Sequence, residues 1–315
     1  MLATLVITIV VGLSTLVPAL LTSGSHAAAT YSRQPGLWLA GSDGGVFSYG
    51  AAGYDGSTAG RWLNKPIAGM AATPNGEGYW LAASDGGIFN YGHAAFYGST
   101  GGLHLNRPIV AIASTPNGKG YWLVASDGGI FSFGDAAFYG STGGWRLNQP
   151  IAAMASTPDG KGYWLVASDG GIFNYGDARF YGSTGATALS SPITAMAPTP
   201  NGKGYWLVSS SGGVYAYGDA GFYGSGVGPD MSVVAIAATS DGLGYWLVTS
   251  NGAVFPYGDA TSLGTTAGMS LARPVVAAAA VSVMTSSVDP STTTTQPPTT
   301  TTTRPPSTTT TTRPP

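Results

Sequence analysis

Aspartates followed by two glycines recur along the chain and are the first residues that could do chemistry. They stand 42 residues apart, at Asp43, Asp85, Asp127 and Asp169, and the series continues as Ser211 and Asn251. A ring of such carboxylates could hold a cation or accept hydrogen bonds from sugar hydroxyls. Asp, Ser and Asn before Gly are also ordinary turn residues. The turn role alone therefore explains this series, and a binding role is an additional hypothesis.

A second group of candidates lies in the loop that precedes each Pro-Ile or Pro-Val pair. Here the copies of the repeat differ most, and the side chains that could contact a ligand are Arg61, Trp62, Lys65, His104, Arg107, Trp145 and Arg146. Aromatic faces beside hydrogen-bonding groups suit carbohydrate or an extended peptide. Neutral drift in a solvated loop would produce the same variation, so both interpretations stay open.

The titratable residues form no pattern typical of catalysis. General acid–base chemistry needs two titratable groups that converge on one point. His93 falls in a turn within one copy and His104 in the loop between two copies, which predicts opposite faces of the fold. We therefore predict no catalytic residue, no metal and no cofactor. A hydrolase or lyase that uses only carboxylates at the mouth of a channel is the alternative.

The composition narrows the classes of partner. Only 8% of the 315 residues are charged and the formal net charge is −2, so the chain has no basic surface of the kind that binds nucleic acid. Cysteine is absent, which excludes disulfides and thiolate metal sites.

The elements that position these residues belong to an internal repeat. Its marker, an aromatic or Leu residue followed by Trp, recurs at spacings of 42, 42, 42, 42 and 40 residues, with the tryptophans at Trp38, Trp80, Trp122, Trp164, Trp206 and Trp246. A period of this length indicates a solenoid or a propeller. Gly or Pro interrupts every few residues, which excludes helices. We expect the tryptophans to pack in a core rather than to stack on sugars.

One copy of the repeat contains four short apolar runs. These are PIVAIAST at 108–115, YWLVAS at 121–126, IFSFG at 130–134 and AFYGS at 137–141. Turn residues bound each run, and Asn117-Gly118 is typical of a tight hairpin. Four antiparallel strands of this kind make one blade of a propeller.

The phase of the repeat predicts how the ring closes. The first Leu-Trp strand lacks a preceding Pro-Ile strand, and the last such strand, at 274–282, lacks a following hairpin. We predict an all-β, six-bladed propeller over residues 30–284, in which strand 274–282 joins the N-terminal strands of 37–57. The inner strands are predicted at 66–73, 108–115, 150–157, 192–199, 233–239 and 274–282.

The two ends of the chain differ from the repeat. Residues 2–21 are apolar and small residues follow at Ala27 and Ala29, which predicts a signal peptide over 1–29. No Lys or Arg precedes the apolar run, so an uncleaved membrane anchor is the alternative. Residues 285–315 consist mainly of Thr and Pro and are predicted to be a disordered stalk or linker.

The unit GYWLVASDGGIFNYGDARFYGSTG at 162–185 resembles a repeat of secreted and cell-surface proteins of actinobacteria. The resemblance covers residues 36–283 and implies a propeller in an extracellular setting, without shared catalytic residues. Proteins with this repeat often carry a Thr/Pro-rich linker and sometimes a cell-wall hydrolase or peptidase domain. The order of the strands is also similar to that of six-bladed NHL-type propellers. The sequence patterns of WD40 repeats, sialidase Asp-boxes and calcium-binding nonapeptides are absent.

These observations favour an extracellular or wall-associated module that binds or scaffolds without catalysis. Its partner would be a cell-wall glycan or an extracellular protein, with membrane contact only through residues 2–21 if they are uncleaved. The candidate binding surface consists of the variable loops and the Asp-Gly-Gly turns. A spacer for a further C-terminal domain is the remaining alternative.

Overall fold

The computed structural model describes residues 30–287, and within that range the chain forms eighteen β-strands and no helix. No helix that could cross a membrane therefore occurs in this part of the chain. The predictions for residues 1–29, and for the Thr/Pro-rich segment from residue 288 onward, lie outside the described residues.

The strands fall into three classes that repeat in the same order. The inner strands are β3 (Ile67–Ala72), β6 (Ile109–Ser114), β9 (Ile151–Ser156), β12 (Ile193–Pro198), β15 (Val233–Ala238) and β18 (Val275–Ser287). The central strands are β1 (Thr30–Gly41), β4 (Gly78–Ala83), β7 (Gly120–Ala125), β10 (Gly162–Ala167), β13 (Gly204–Ser209) and β16 (Gly244–Thr249). The outer strands are β2 (Val46–Gly50), β5 (Ile88–Gly92), β8 (Ile130–Gly134), β11 (Ile172–Gly176), β14 (Val214–Gly218) and β17 (Val254–Gly258).

These strands form six sheets of three strands each, with the central strand between the other two. Five sheets are built from consecutive strands. In the sixth, the order is β18-β1-β2, so the C-terminal strand pairs with the N-terminal hairpin, as the phase of the repeat predicts. We number this sheet blade 1 and the following sheets blades 2 to 6.

The six described sheets are separate, with no strand ladder from one to the next. Packing between neighbouring sheets therefore holds them in a ring. Along each central strand, alternate side chains face the preceding and the following blade. Trp80 of blade 2 packs against Tyr121 of blade 3, with ring centroids 5.7 Å apart. The series continues to blade 6, whose Trp246 shares a core with Leu37 and Leu39 of blade 1. This cyclic packing makes the fold a six-bladed β-propeller.

The tryptophans lie in these cores, as predicted. Each of the six is at most 2% exposed. Each indole N–H also donates to a backbone carbonyl in the segment that follows the outer strand of its own blade, as Trp122 does to Ala137 at 2.7 Å. A central strand buried on both faces explains the near-continuous apolar run.

The prediction of four strands in each blade is wrong, because the fourth run does not return to pair with the outer strand. After β5 the chain reverses at Gly92, and the next residues cross toward blade 3. There the Tyr121 hydroxyl donates to Gly98 O at 2.6 Å and accepts from Tyr97 N–H at 3.2 Å. Side-chain hydroxyls and indoles therefore bond this connector in place of a strand ladder.

The two ends of the strands define two faces of the propeller. The loop face carries the turns between central and outer strands and the loops between blades, at 58–66, 100–108, 142–150, 184–192, 226–232 and 266–274. The opposite face, which we call the exit face, carries the turns between inner and central strands. Strand β18 continues to Ser287, so the predicted boundary at residue 284 falls inside a strand. On the exit face, Thr285 donates to Ser32 O at 3.3 Å, and Val281 lies beside Gly76.

The inner strands surround a central cavity of about 730 Å³. Its lining is mainly Ala, Met, Ser and Thr of the inner strands, with Arg33, Asp241 and Asp259 at the exit face.

Candidate functional site

The Asp-Gly-Gly turns are built by the aspartates themselves. In blade 2, Asp85 Oδ1 accepts a hydrogen bond from Gly87 N–H at 3.0 Å. Gly86 between them has φ of 78°, a conformation that suits glycine. The same carboxylate-to-amide bond forms at Asp43, Asp127 and Asp169. All four carboxylates therefore have a structural role in their turns.

The two remaining blades show that this turn does not require a carboxylate. Asn251 Oδ1 accepts from Ala253 N–H at 3.2 Å in blade 6. In blade 5, the Ser211 hydroxyl lies 2.7 Å from the Ser191 hydroxyl. The exchange of Asp, Ser and Asn thus follows from turn chemistry, while one oxygen of each half-buried Asp stays available for other contacts.

Each variable loop begins with hydrogen bonds to the turn between the central and outer strands of the blade that precedes the loop. Thr100 donates its hydroxyl hydrogen to Asp85 O at 3.1 Å, and its N–H donates to Gly86 O. The loop then ends beside the turn of the next blade, where Ser126 N–H donates to Pro108 O at 2.9 Å. The variable loops and the Asp turns therefore share the loop face.

The predicted loop residues are exposed on this face. Trp62 is 84% and Trp145 is 64% exposed, although both are large aromatic side chains. The other predicted contact residues of the loops are also exposed: Arg61, Lys65, His104, Arg107 and Arg146. They belong to three successive loops, so they do not form one cluster.

One pocket brings part of the predicted set together. A cavity of about 420 Å³ is lined by Trp62 and Lys65 from the loop between blades 1 and 2, and by Asp85 of blade 2. Its lining also includes Phe89 of the outer strand β5 and Phe96 of the connector that follows. We call this the Trp62 pocket. His104, Arg107, Trp145 and Arg146 lie at later blades.

Phe96 was missed by sequence reasoning. It is 56% exposed and belongs to a series of exposed aromatic residues on the outer connectors of five blades: Tyr54, Phe96, Phe138, Phe180 and Phe222. The sequence does show that the fourth apolar run of each of these copies contains this aromatic residue. The sequence analysis interprets this run as a strand, and that interpretation does not predict that Phe96 is exposed.

The charges around the Trp62 pocket are unpaired. Two ion pairs occur among residues 30–287, His93 with Glu77 and Lys161 with Asp159, and both lie on the exit face. Lys65 and Asp85 belong to neither. Burial raises the pKa of Tyr91 in β5, and the nearby Arg61 guanidinium acts in the opposite direction.

The histidines are separated as predicted. His93 Nδ1 lies 2.9 Å from Glu77 Oε2 on the exit face, whereas His104 is exposed on the loop face. Within the described part of the chain, no group of three or more His, Cys, Asp or Glu side chains could hold a metal ion.

Comparisons with known proteins give a structural likeness. No protein-family model and no curated protein matches the chain. A solved structure, the β-propeller domain of Cps50 (Swd1) from Myceliophteria thermophila, is similar over 77% of this chain and 88% of its own, with 11% sequence identity and a TM-score of 0.47. The assignment of the propeller does not rest on this likeness. It rests on the strand order of the six sheets and on the cores that they share.

Proposed function

We propose that this protein is a secreted or wall-associated binding module that contacts a glycan or protein through its loop face without catalysis. The observation that carries the proposal is the exposure of Trp62 and Trp145 on this face. Large aromatic side chains exposed at adjustable positions of a rigid scaffold are typical of recognition surfaces. The scaffold beneath them is nearly the same in every blade, so loop changes can alter the contact residues without altering the core.

The geometry favours binding over acid–base chemistry. The four turn aspartates belong to four different blades, and each already accepts an amide hydrogen bond. A catalytic pair would need two such groups at one reacting bond. Equivalent loops on neighbouring blades instead offer several contacts to one extended ligand, which increases affinity through multivalency.

The positions of the chain ends support a display role. Ser32 and Thr285 are joined on the exit face, opposite the loops. The described chain therefore enters and leaves the ring at the face opposite the proposed contact residues. The extracellular setting is inferred from the apolar leader, the Thr/Pro-rich segment and the resemblance of the repeat.

The proposal is tested by binding of the purified chain to a glycan array, to isolated actinobacterial cell wall and to immobilised extracellular proteins. Wild type is expected to bind at least one of these. The double variant Trp62→Ala/Trp145→Ala should lose about tenfold or more in affinity. The matched control, Lys119→Ala/Lys203→Ala, changes two exposed residues of the exit face and should bind as wild type does.

Two results would overturn the proposal. Equal binding by the loop-face variant and wild type would place the contact elsewhere. Release of reducing sugar from a bound glycan would favour the alternative of a carboxylate-dependent hydrolase or lyase.

A further inference from the structure

We infer that the Trp62 pocket is a subsite for a neutral sugar ring of a polysaccharide, and that it is the principal one on the propeller. This inference rests on the proposed function, because it names the ligand class of the same face. It concerns one pocket rather than the whole face, so it can fail while the proposed function stands.

The size and walls of the pocket suit one or two sugar rings. Its volume of about 420 Å³ lies in the range of small-molecule sites. Trp62 and Phe96 both line it and both keep more than half of their surface exposed. A pyranose ring has apolar C–H faces that pack on aromatic rings, so these side chains supply the apolar part of such a site.

The polar groups of the pocket indicate a neutral ligand. Lys65 is a hydrogen-bond donor, and Asp85 has a carboxylate oxygen beyond the one bonded to Gly87 N–H. Sugar hydroxyls both donate and accept, so they can bond to the two groups together. The opposite charges of Lys65 and Asp85 offset each other, so the pocket lining carries no net charge that would select an ionised ligand. The amide of Asn64, which also lines the pocket, adds a donor and an acceptor.

The other blades lack part of this arrangement, which is why we rank the Trp62 pocket first. At the position of Trp62 the later loops carry His104, Arg146 and Ala188, and the loop before blade 1 carries Ser270. The loop before blade 6 is two residues shorter and has no aromatic residue. Blade 3 comes nearest, with His104, Arg107, Asp127 and Phe138 at the equivalent positions.

An extended peptide would use a different part of the same region. It would add as a strand to the outer edge of β5, whose main-chain groups carry most of the affinity in such pairing. Outer strands of the same length occur in all six blades, so peptide binding would not require Trp62. The effect of one substitution therefore separates the two ligand classes.

The test is titration calorimetry of the full chain with cellohexaose, chitohexaose, mannohexaose and maltohexaose, with hexagalacturonate as an anionic comparison. We expect wild type to bind at least one neutral oligosaccharide, and Trp62→Ala to weaken that binding by about tenfold or more. Phe222→Ala, which removes an exposed aromatic side chain of the blade 5 connector outside the pocket, should change affinity by less than about twofold. Asp85→Asn should keep the turn, as Asn251 does in blade 6, and should weaken binding by about threefold or more.

Each other outcome contradicts the inference. Binding of none of the four neutral oligosaccharides, or a preference for hexagalacturonate, would exclude a neutral sugar subsite. Equal affinities for Trp62→Ala and wild type would exclude this pocket. If the loop face then still bound cell wall or protein in the assays of the full face, the proposed function would stand and only the subsite would be wrong.

Discussion

At the scale of single residues, one tyrosine hydroxyl in each of blades 2 to 6 holds the connector of the preceding blade. Tyr163 donates to Gly140 O at 2.6 Å and accepts from Tyr139 N–H at 3.1 Å. Tyr121 and Tyr205 make the same pair of bonds. Burial raises the pKa of these hydroxyls, so they stay protonated donors at neutral pH. The tyrosine therefore links adjacent blades by a hydrogen bond as well as by apolar packing.

We predict that Tyr121→Phe lowers the free energy of unfolding by about 1–3 kcal/mol, because Gly98 O and Tyr97 N–H lose their buried partner. The measurement is urea unfolding followed by tryptophan fluorescence. Tyr54→Phe is the control, since Tyr54 is 63% exposed, and it should have little effect. Equal stability of the two variants would show that the hydroxyl does not hold the connector.

A pair of carboxylates on the exit face gives a prediction about pH. The pKa of Asp259 is raised, mainly by desolvation and next by the neighbouring Asp241. The pKa of Asp241 is lowered, mainly by the hydrogen bond from the Leu243 backbone N–H. The raised pKa of Asp259 means that its contribution to stability falls as pH rises through its folded-state pKa, whereas the lowered pKa of Asp241 gives a contribution that is lost as pH falls. In blade 5 the equivalent residues are Asn201 and Asp219. The side-chain amide of Asn201 donates to the carboxylate of Asp219 at 2.7 Å.

Asp241→Asn would give blade 6 the amide–carboxylate pair of blade 5, in which Asn201 Oδ1 still accepts from the following backbone N–H of Lys203. It is expected to raise stability at pH 7 by about 0.5 kcal/mol, the scale of an exposed charge pair. The gain should shrink below about pH 4, where carboxylates protonate. Thermal unfolding across pH measures it. Asn201→Asp is the matched reverse substitution and should lower stability at pH 7. A gain for Asp241→Asn that did not depend on pH would contradict the electrostatic explanation.

At the scale of elements, the Asp turn and the variable loop form one unit. A Cβ on Gly86 would lie 1.7 Å from Thr100 Oγ1, and its φ of 78° disfavours other residues. The loop can approach the turn this closely only because glycine stands there. The variable residues of the loop face thus project from a base that the turn fixes.

Gly86→Ala is expected to cost about 1–3 kcal/mol in the free energy of unfolding, because it combines backbone strain with a steric conflict. Gly102→Ala is the control in the loop that follows, where an added Cβ has no atom within 4 Å. Chemical denaturation of both variants tests the prediction. Equal stability of Gly86→Ala and Gly102→Ala would show that close contact between the turn and the loop does not require glycine at position 86.

The elements also show where sequence reasoning succeeds and where it fails. The first three strands of a copy follow from apolar runs between turn residues, since each pairs with its neighbour in sequence. The AFYGS run has the same local pattern, yet its hydrogen bonds go to Tyr163 of the next blade, 23 residues from Gly140. Local patterning does not contain that partner, so the fourth strand was predicted where a connector lies.

At the scale of the whole molecule, the closing strand could be predicted from the phase of the repeat. The repeat contains six inner strands and six hairpins, and every hairpin has an inner strand only if the last strand pairs with the first hairpin. The Trp62 pocket could be predicted only in part. Its loop and turn residues follow from the repeat, but Phe96 and the depth of the pocket depend on the path of the connector, which the sequence does not reveal.

Removing the closing strand should destabilise the whole ring. A chain that ends at Pro274 loses Val275 and Ala277, which are buried in the cores on the two sides of blade 1. It also leaves one edge of β1 unpaired. We expect a loss of more than about 3 kcal/mol in the free energy of unfolding, with aggregation on heating. A chain that ends at Ser287 keeps β18 and should unfold as the full chain does.

Hydrogen–deuterium exchange of the intact chain tests most directly whether the N- and C-terminal strands close the ring. The other five central strands, β4, β7, β10, β13 and β16, serve as internal standards, because each is paired on both sides by strands adjacent in sequence. We predict that residues 37–40 exchange as slowly as residues 79–82 and 121–124. Fast exchange of residues 37–40 and 275–280, with slow exchange in the other five blades, would show that the ring is open and would contradict the account.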